Sequence, residues 1–233
     1  MTESPQQPER PEEPTAPPPP AQPPAAPTPT PADVTPSAPE VAYPTYPVLF
    51  DVRYQEEYSR WMPLIKWLLA IPHWFALFFL AIGAFFALII AFFAVLITAR
   101  YPKGLFDFMV GVWRWGMRVT AYVLLLVDPY PPFSLGDDPS YPVRFNVDYP
   151  PEGKIARWRA LFAWVPVIPQ LIIASIVTFV AWVLEIVVFF SILFTKGIPR
   201  GVFDFIVNAF RYQNRANAYA YYLTEKYPGF AWG

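Results

Sequence analysis

Most of this chain is written twice, and that constrains its fold more than any other feature. Tyr46-Pro47-Val48-Leu49-Phe50-Asp51-Val52-Arg53-Tyr54 recurs as Tyr141-Pro142-Val143-Arg144-Phe145-Asn146-Val147-Asp148-Tyr149. Arg60-Trp61 recurs as Arg157-Trp158, Pro72 as Pro169, and Thr98 as Thr195. Gly104, Phe106, Asp107 and Phe108 return as Gly201, Phe203, Asp204 and Phe205, and Tyr130-Pro131 as Tyr227-Pro228. One two-residue insertion after the first motif reconciles the whole alignment. The chain therefore divides into a leading segment, residues 1–45, a first repeat over 46–135 and a second over 136–233.

Each repeat has three parts. In the first, Val48, Phe50, Val52 and Tyr54 share one face, as do Val143, Phe145, Val147 and Tyr149. Period-two alternation of β-branched and aromatic residues predicts a half-buried strand, and the two strands are candidates to pair. The second part is a long apolar block, 61–99 and 158–195. A membrane span needs about 20 apolar residues across about 30 Å of hydrocarbon, and each block is much longer. It reads either as a long helix with a lead-in broken at Pro72 or Pro169, or as a helical hairpin. Basic residues flank both blocks on both sides: Arg60 and Lys66, then Arg100 and Lys103; Arg157 and Arg159, then Lys196 and Arg200. Positive charge favours the cytoplasmic side, so the balance favours hairpins, with the leading segment, both strands and both final helices cytoplasmic. Turn chemistry argues the other way, since Gly83 is the only glycine in the first block and the second has none.

The third part, about 104–127 and 201–224, has helical periodicity. Asp204, Asn208, Arg211 and Arg215 form one polar stripe beside Phe203, Val207 and Phe210; Asp107, Gly111, Arg114 and Arg118 repeat it. Such a stripe predicts an amphipathic helix in the membrane interface. Arg114, Arg118, Arg211 and Arg215 are then candidates to hold lipid headgroup phosphates, with snorkelling anchorage as the plainer alternative. Asp107 and Asp204 suit the positive end of a helix. Glu185 stands among Trp182, Val183, Leu184, Ile186 and Val187, and an intramembrane acid is a functional candidate by default. Its counterpart in the first repeat is Leu88, and its expected neighbours are Ser191 and Thr178.

Composition narrows the chemistry. The chain has no cysteine and His73 is its only histidine, which excludes disulfides, thiolate sites and multi-histidine metal centres. No nucleophile–base pair, glycine-rich phosphate loop or metal constellation is present, so neither an enzyme nor a cofactor is expected. With 15% charged residues, against about 25% for soluble domains, and near-neutral net charge, a lipid bilayer rather than nucleic acid is the expected partner. The first 45 residues hold six acidic residues against Arg10 alone and are dense in proline. They read as a disordered, polyproline II-rich tail: an inert spacer on composition, or a ligand for a protein module.

The runs Leu69-Ala70-Ile71-Pro72-His73, Thr98-Ala99-Arg100-Tyr101-Pro102-Lys103-Gly104-Leu105-Phe106-Asp107-Phe108 and Tyr130-Pro131-Pro132-Phe133-Ser134-Leu135 resemble the DUF4389 family of bacterial membrane domains. The resemblance covers about 46–230, with Gln170 in place of His73 in the second copy, and implies membrane location without an activity. The expected fold is mainly α and integral to the membrane, in two tandem repeats of strand, apolar helix or hairpin, and amphipathic helix. The expected role is a non-catalytic, multi-pass scaffold or partner-binding protein of the cell membrane, possessing a cytoplasmic N-terminal tail. The alternative is a transport or lipid-handling component using Glu185 and the interfacial arginines.

Overall fold

The computed structural model describes residues 46–230 and Trp232; the tail reading lies outside them. In chain order the elements are β1 (Val48–Val52), α1 (Met62–Leu69), α2 (Ile71–Thr98), α3 (Lys103–Val123), β2 (Val143–Val147), α4 (Arg157–Phe162), α5 (Trp164–Thr195) and α6 (Arg200–Ala220).

Each apolar block is a single long helix behind a short helical lead-in, which corrects the hairpin reading. No turn interrupts 71–98 or 164–195. The lead-ins join at Ala70 and Ala163. Pro72 sits in the first turn of α2, where its missing N–H would have no intrahelical partner anyway; Pro169 lies inside α5, which continues through it. Gly83 makes no turn. A Cβ there would stand 3.3 Å from the Phe108 ring, so the glycine lets α3 approach closely. Both long helices end in a left-handed residue, Ala99 (φ 57°) and Lys196 (φ 60°), whose amides donate to the Val95 and Ile192 carbonyls. Pro102 and Pro199 follow as the N-caps of α3 and α6.

The strands pair antiparallel with Phe50 opposite Phe145. Both alternate, with Val48, Phe50, Val52, Val143, Phe145 and Val147 buried on one face. Leu49, Asp51, Arg53, Arg144 and Asn146 stand exposed on the other. Phe50 and Phe145 are repeat equivalents that pair with each other and point to the same face. An axis exchanging them must therefore run normal to the sheet, and it is the pseudo-twofold axis of the molecule.

That axis crosses the repeats over. β1 packs on α6 and β2 on α3, while α3 packs on α2 and α6 on α5. Each opening strand thus lies against the last helix of the other repeat. The result is three layers: the sheet, then α3 and α6, then the long helices. The long helices run antiparallel, since the Ile155 amide donates to the Ala99 carbonyl (3.0 Å) and the Tyr58 amide to the Lys196 carbonyl (2.8 Å). Their inner stripes, Ala87, Ala91 and Val95 on α2 and Ala174, Ala181, Val188 and Ile192 on α5, are buried. Their outer stripes are apolar and exposed, among them Phe78, Phe86 and Phe93 on α2 and Ile172, Phe179 and Phe190 on α5. By length and composition both are able to cross a membrane.

Candidate functional surfaces and the buried polar seam

The arginines of the polar stripes on α3 and α6 face protein, while Asp107 and Asp204 at the stripe starts are exposed. Arg114 donates from Nε to the Phe145 carbonyl (2.9 Å), from Nη1 to the Leu135 carbonyl (2.8 Å) and from Nη2 to Asn146 Oδ1 (3.0 Å). Arg211 repeats this on the other strand, from Nε to the Phe50 carbonyl (3.0 Å) and from Nη2 to Asp51 Oδ1 (3.3 Å). A guanidinium supplies five donors in a rigid fork, so each clamps a strand to a helix. Arg118 is fully buried and donates to the Ser134 and Gly136 carbonyls. Burial, with Arg114 beside it, pulls its guanidinium below the usual arginine range, against the opposing pull of Asp138 and Asp137. Arg215 lies under the Tyr46 ring, as Arg118 lies under Tyr141. Of the four arginines expected at lipid headgroups, Arg114 and Arg211 are thus placed between helix and strand, Arg118 against the 134–136 loop and Arg215 against Tyr46. Asp107 is exposed and pairs with Lys103 at 2.8 Å.

Other contacts obey the same twofold. The Tyr54 hydroxyl donates to the Ile198 carbonyl (2.7 Å), and that of its equivalent Tyr149 to the Tyr101 carbonyl (2.6 Å). The Ser59 amide donates to Asp128 (2.7 Å) and the Ala156 amide to Glu225 (2.6 Å). His73 Nδ1 accepts from Trp115 Nε1 at 3.1 Å; in the second repeat Gln170 Oε1 accepts from the Tyr212 hydroxyl. Both partners have changed identity while the donor–acceptor sense has survived. A buried acceptor without its donor is costly, which couples the two positions.

One cluster breaks the symmetry. Lys66, expected as a flanking charge, is 1% exposed. It donates to the Val127 carbonyl (2.7 Å) and to Asp128 Oδ1 (2.8 Å). In the second repeat its position is Ala163, and Arg159 arrives from elsewhere on the helix to donate to the equivalent carbonyl of Thr224. Lys66 is also the charge acting on Glu185. The acid's two oxygens have no hydrogen-bond partner among the described residues. Its expected neighbours are otherwise engaged, the Thr178 hydroxyl with Gln213 Oε1 (3.0 Å) and the Ser191 hydroxyl with that of Thr195 (3.4 Å). Lys66 and Glu185 thus lie within electrostatic range of each other without forming an ion pair, where the equivalent site has Ala163 and Leu88. Sequence reasoning singled out the acid but not the lysine whose charge bears on it; comparing the repeats at position 66 would have shown that both depart from the pattern.

Two surface grooves flank the sheet. One of about 410 Å³ is lined by Pro47, Asp148, Pro151, Lys154 and Lys226. The other, about 380 Å³, is lined by Asp51, Arg200, Asp204, Asn208 and Arg211. Neither brings a nucleophile to a base. Among the described residues no three acidic or histidine side chains gather as a metal site.

The sequence model of the domain-of-unknown-function family DUF4389 matches residues 60–134 and again 157–231. Both matches begin after the strand, so the matched segment runs from the lead-in helix through α3 or α6. No curated protein and no solved structure matches the chain.

Proposed function

The chain belongs to the DUF4389 family in two tandem copies, and from that premise we propose that it is a non-catalytic membrane scaffold at the cytoplasmic face. One observation carries the reading: an exposed apolar face on α2 and α5 lies opposite a sheet whose outer face exposes Asp51, Arg53, Arg144 and Asn146 beside a single apolar side chain, Leu49. Contiguous exposed apolar surface far beyond a few hundred Å² marks a membrane or protein interface. The basic flanks of both blocks support a cytoplasmic orientation for the tail and sheet. The sheet face and the tail are the surfaces left for protein partners. Alkaline extraction of membranes, then co-purification in mild detergent with and without residues 1–45, tests this. Retention in the membrane with a partner recovered supports the scaffold; release by alkali, or no partner from crosslinked cells, counts against it.

A second reading, transport or lipid handling, rests on Glu185 alone. Its oxygens accept no hydrogen bond from the described residues, and a buried acid left so is a functional candidate. Glu185→Gln in reconstituted vesicles decides this: unchanged proton, cation and lipid movement removes it.

A further inference from the structure

We propose, resting on the membrane reading above, that α2 and α5 lie along the membrane instead of crossing it, with their outer faces sunk into a single leaflet. Three observations point there.

The first is where the sheet lies. Mid-α2 touches α3, with Gly83 against Phe108, and Trp113 of α3 stacks on Phe145 at 5.5 Å between ring centroids. Mid-α5 touches α6 through Thr178 and Gln213, and Arg211 of α6 holds Phe50. The centre of the sheet therefore stands opposite the middles of both long helices, one helix layer away. Were those helices to span, the exposed Asp51, Arg53, Arg144 and Asp148 would sit at mid-bilayer, where charge is excluded unless it lines water or a partner. Laid flat, the same molecule puts its charged face in water and its apolar face in lipid.

The second is the symmetry axis, which is normal to the layers. In a flat arrangement it coincides with the membrane normal, and both repeats meet the leaflet identically. The basic residues at both ends of both blocks, including Arg60, Arg100, Arg157 and Lys196, then rim one membrane surface, as the charge rule asks. In a spanning arrangement the axis lies in the membrane plane. The repeats become inverted, and half of those charges fall on the wrong side.

The third is length. α2 has 28 residues and α5 has 32, about 42 and 48 Å at 1.5 Å per residue. Fitting them to about 30 Å of hydrocarbon needs tilts of roughly 45–50°, beyond the usual 0–40° range. An in-plane helix has no such limit. The occupant is lipid rather than a second copy of the chain. Exposed Trp61, Trp67, Trp158 and Trp164 stand at the block starts beside Arg60 and Arg157, an aromatic and basic border suited to headgroups.

The native chain has no cysteine, so single cysteines report cleanly. Gly104→Cys and Gly201→Cys follow the ends of α2 and α5 at positions with open space around a Cβ; Arg144→Cys marks the outer sheet face. In intact cells, in-plane helices predict that all three share one response to an impermeant thiol reagent, with protection lost together on permeabilisation. Gly104→Cys and Gly201→Cys reacting from opposite sides overturns the in-plane arrangement and leaves the membrane reading standing. Alkaline release of the unlabelled full chain sinks that reading itself. A second measurement covers poor expression of any variant: spin labels at Phe86 and Phe179, mid-helix on the outer face. They should sit about 5–10 Å below the headgroups, and a depth near the midplane, about 15 Å, refutes the proposal.

Discussion

Replacing Lys66 and Glu185 by the residues of the equivalent site, Ala163 and Leu88, tests whether the two charges are a coupled pair. Lys66→Ala removes an ion pair at 2.8 Å whose lysine is 1% and aspartate 21% exposed. It also leaves Glu185 without the one charge acting on it. Breaking a buried pair from one side costs about 3–5 kcal/mol. Glu185→Leu is different, because the acid accepts no hydrogen bond from the described residues while Lys66 keeps Asp128 and the Val127 carbonyl. An unsatisfied buried polar group costs about 1–3 kcal/mol, so this change should be near neutral or stabilising by about 1–2 kcal/mol. In the double variant, removing the acid relieves a buried carboxyl that no neighbouring cation offsets. It should therefore recover more there than in the native background, with a coupling of about 0.5–3 kcal/mol. Thermal unfolding of the full chain in detergent reads this, at about 2–4 °C per kcal/mol for a chain of this size. If the single effects add within about 0.5 kcal/mol, Lys66 and Glu185 do not interact and the reasoning fails.

Further outcomes follow from the symmetric contacts. Arg114→Ala and Arg211→Ala should each destabilise by about 1.5–3 kcal/mol, the range for hydrogen bonds from a charged donor; amide exchange in β2 should rise for the first and in β1 for the second, and exchange confined to the variant helix would contradict the crossed packing. His73→Gln with Trp115→Tyr transplants the Gln170–Tyr212 pair and should restore much of the stability that His73→Ala loses, measured in the same unfolding assay. Ala99→Gly should stabilise by about 1 kcal/mol, because a left-handed residue with a Cβ costs about 1–2 kcal/mol; a loss would mean the methyl packs. Hydrogen bonds from the Ser140 hydroxyl and amide hold the Asp138 carboxyl below the usual carboxylate range. Its contribution to stability is full above the unfolded pKa of about 4 and falls away as pH drops through the lowered value. Ser140→Ala should move that titration upward by NMR, and an unchanged midpoint would rule the bond out.

Much of the fold was legible along the chain. Alternation in 48–54 and 143–149 fixed the strand faces, because each side chain's burial is a local, period-two property. The apolar blocks and the stripes of α3 and α6 were legible for the same reason at helical period. The offset of the repeats marked two equivalent units before any contact was known. What the sequence left open was the partner of each face. A stripe containing Arg114 and Arg118 reads identically whether it meets phosphate, water or strand carbonyls, since periodicity records that a face is polar and not what it touches. The hairpin was favoured because charge at both ends of each block implied that both ends lie on one side. A flat helix meets that requirement without a turn. Only the tertiary structure decided that β1 lies under α6 and β2 under α3, and that Lys66 pairs with Asp128 across 62 residues of chain. Such pairings form through packing between distant segments, where complementary shape and charge are satisfied together and no local pattern specifies them.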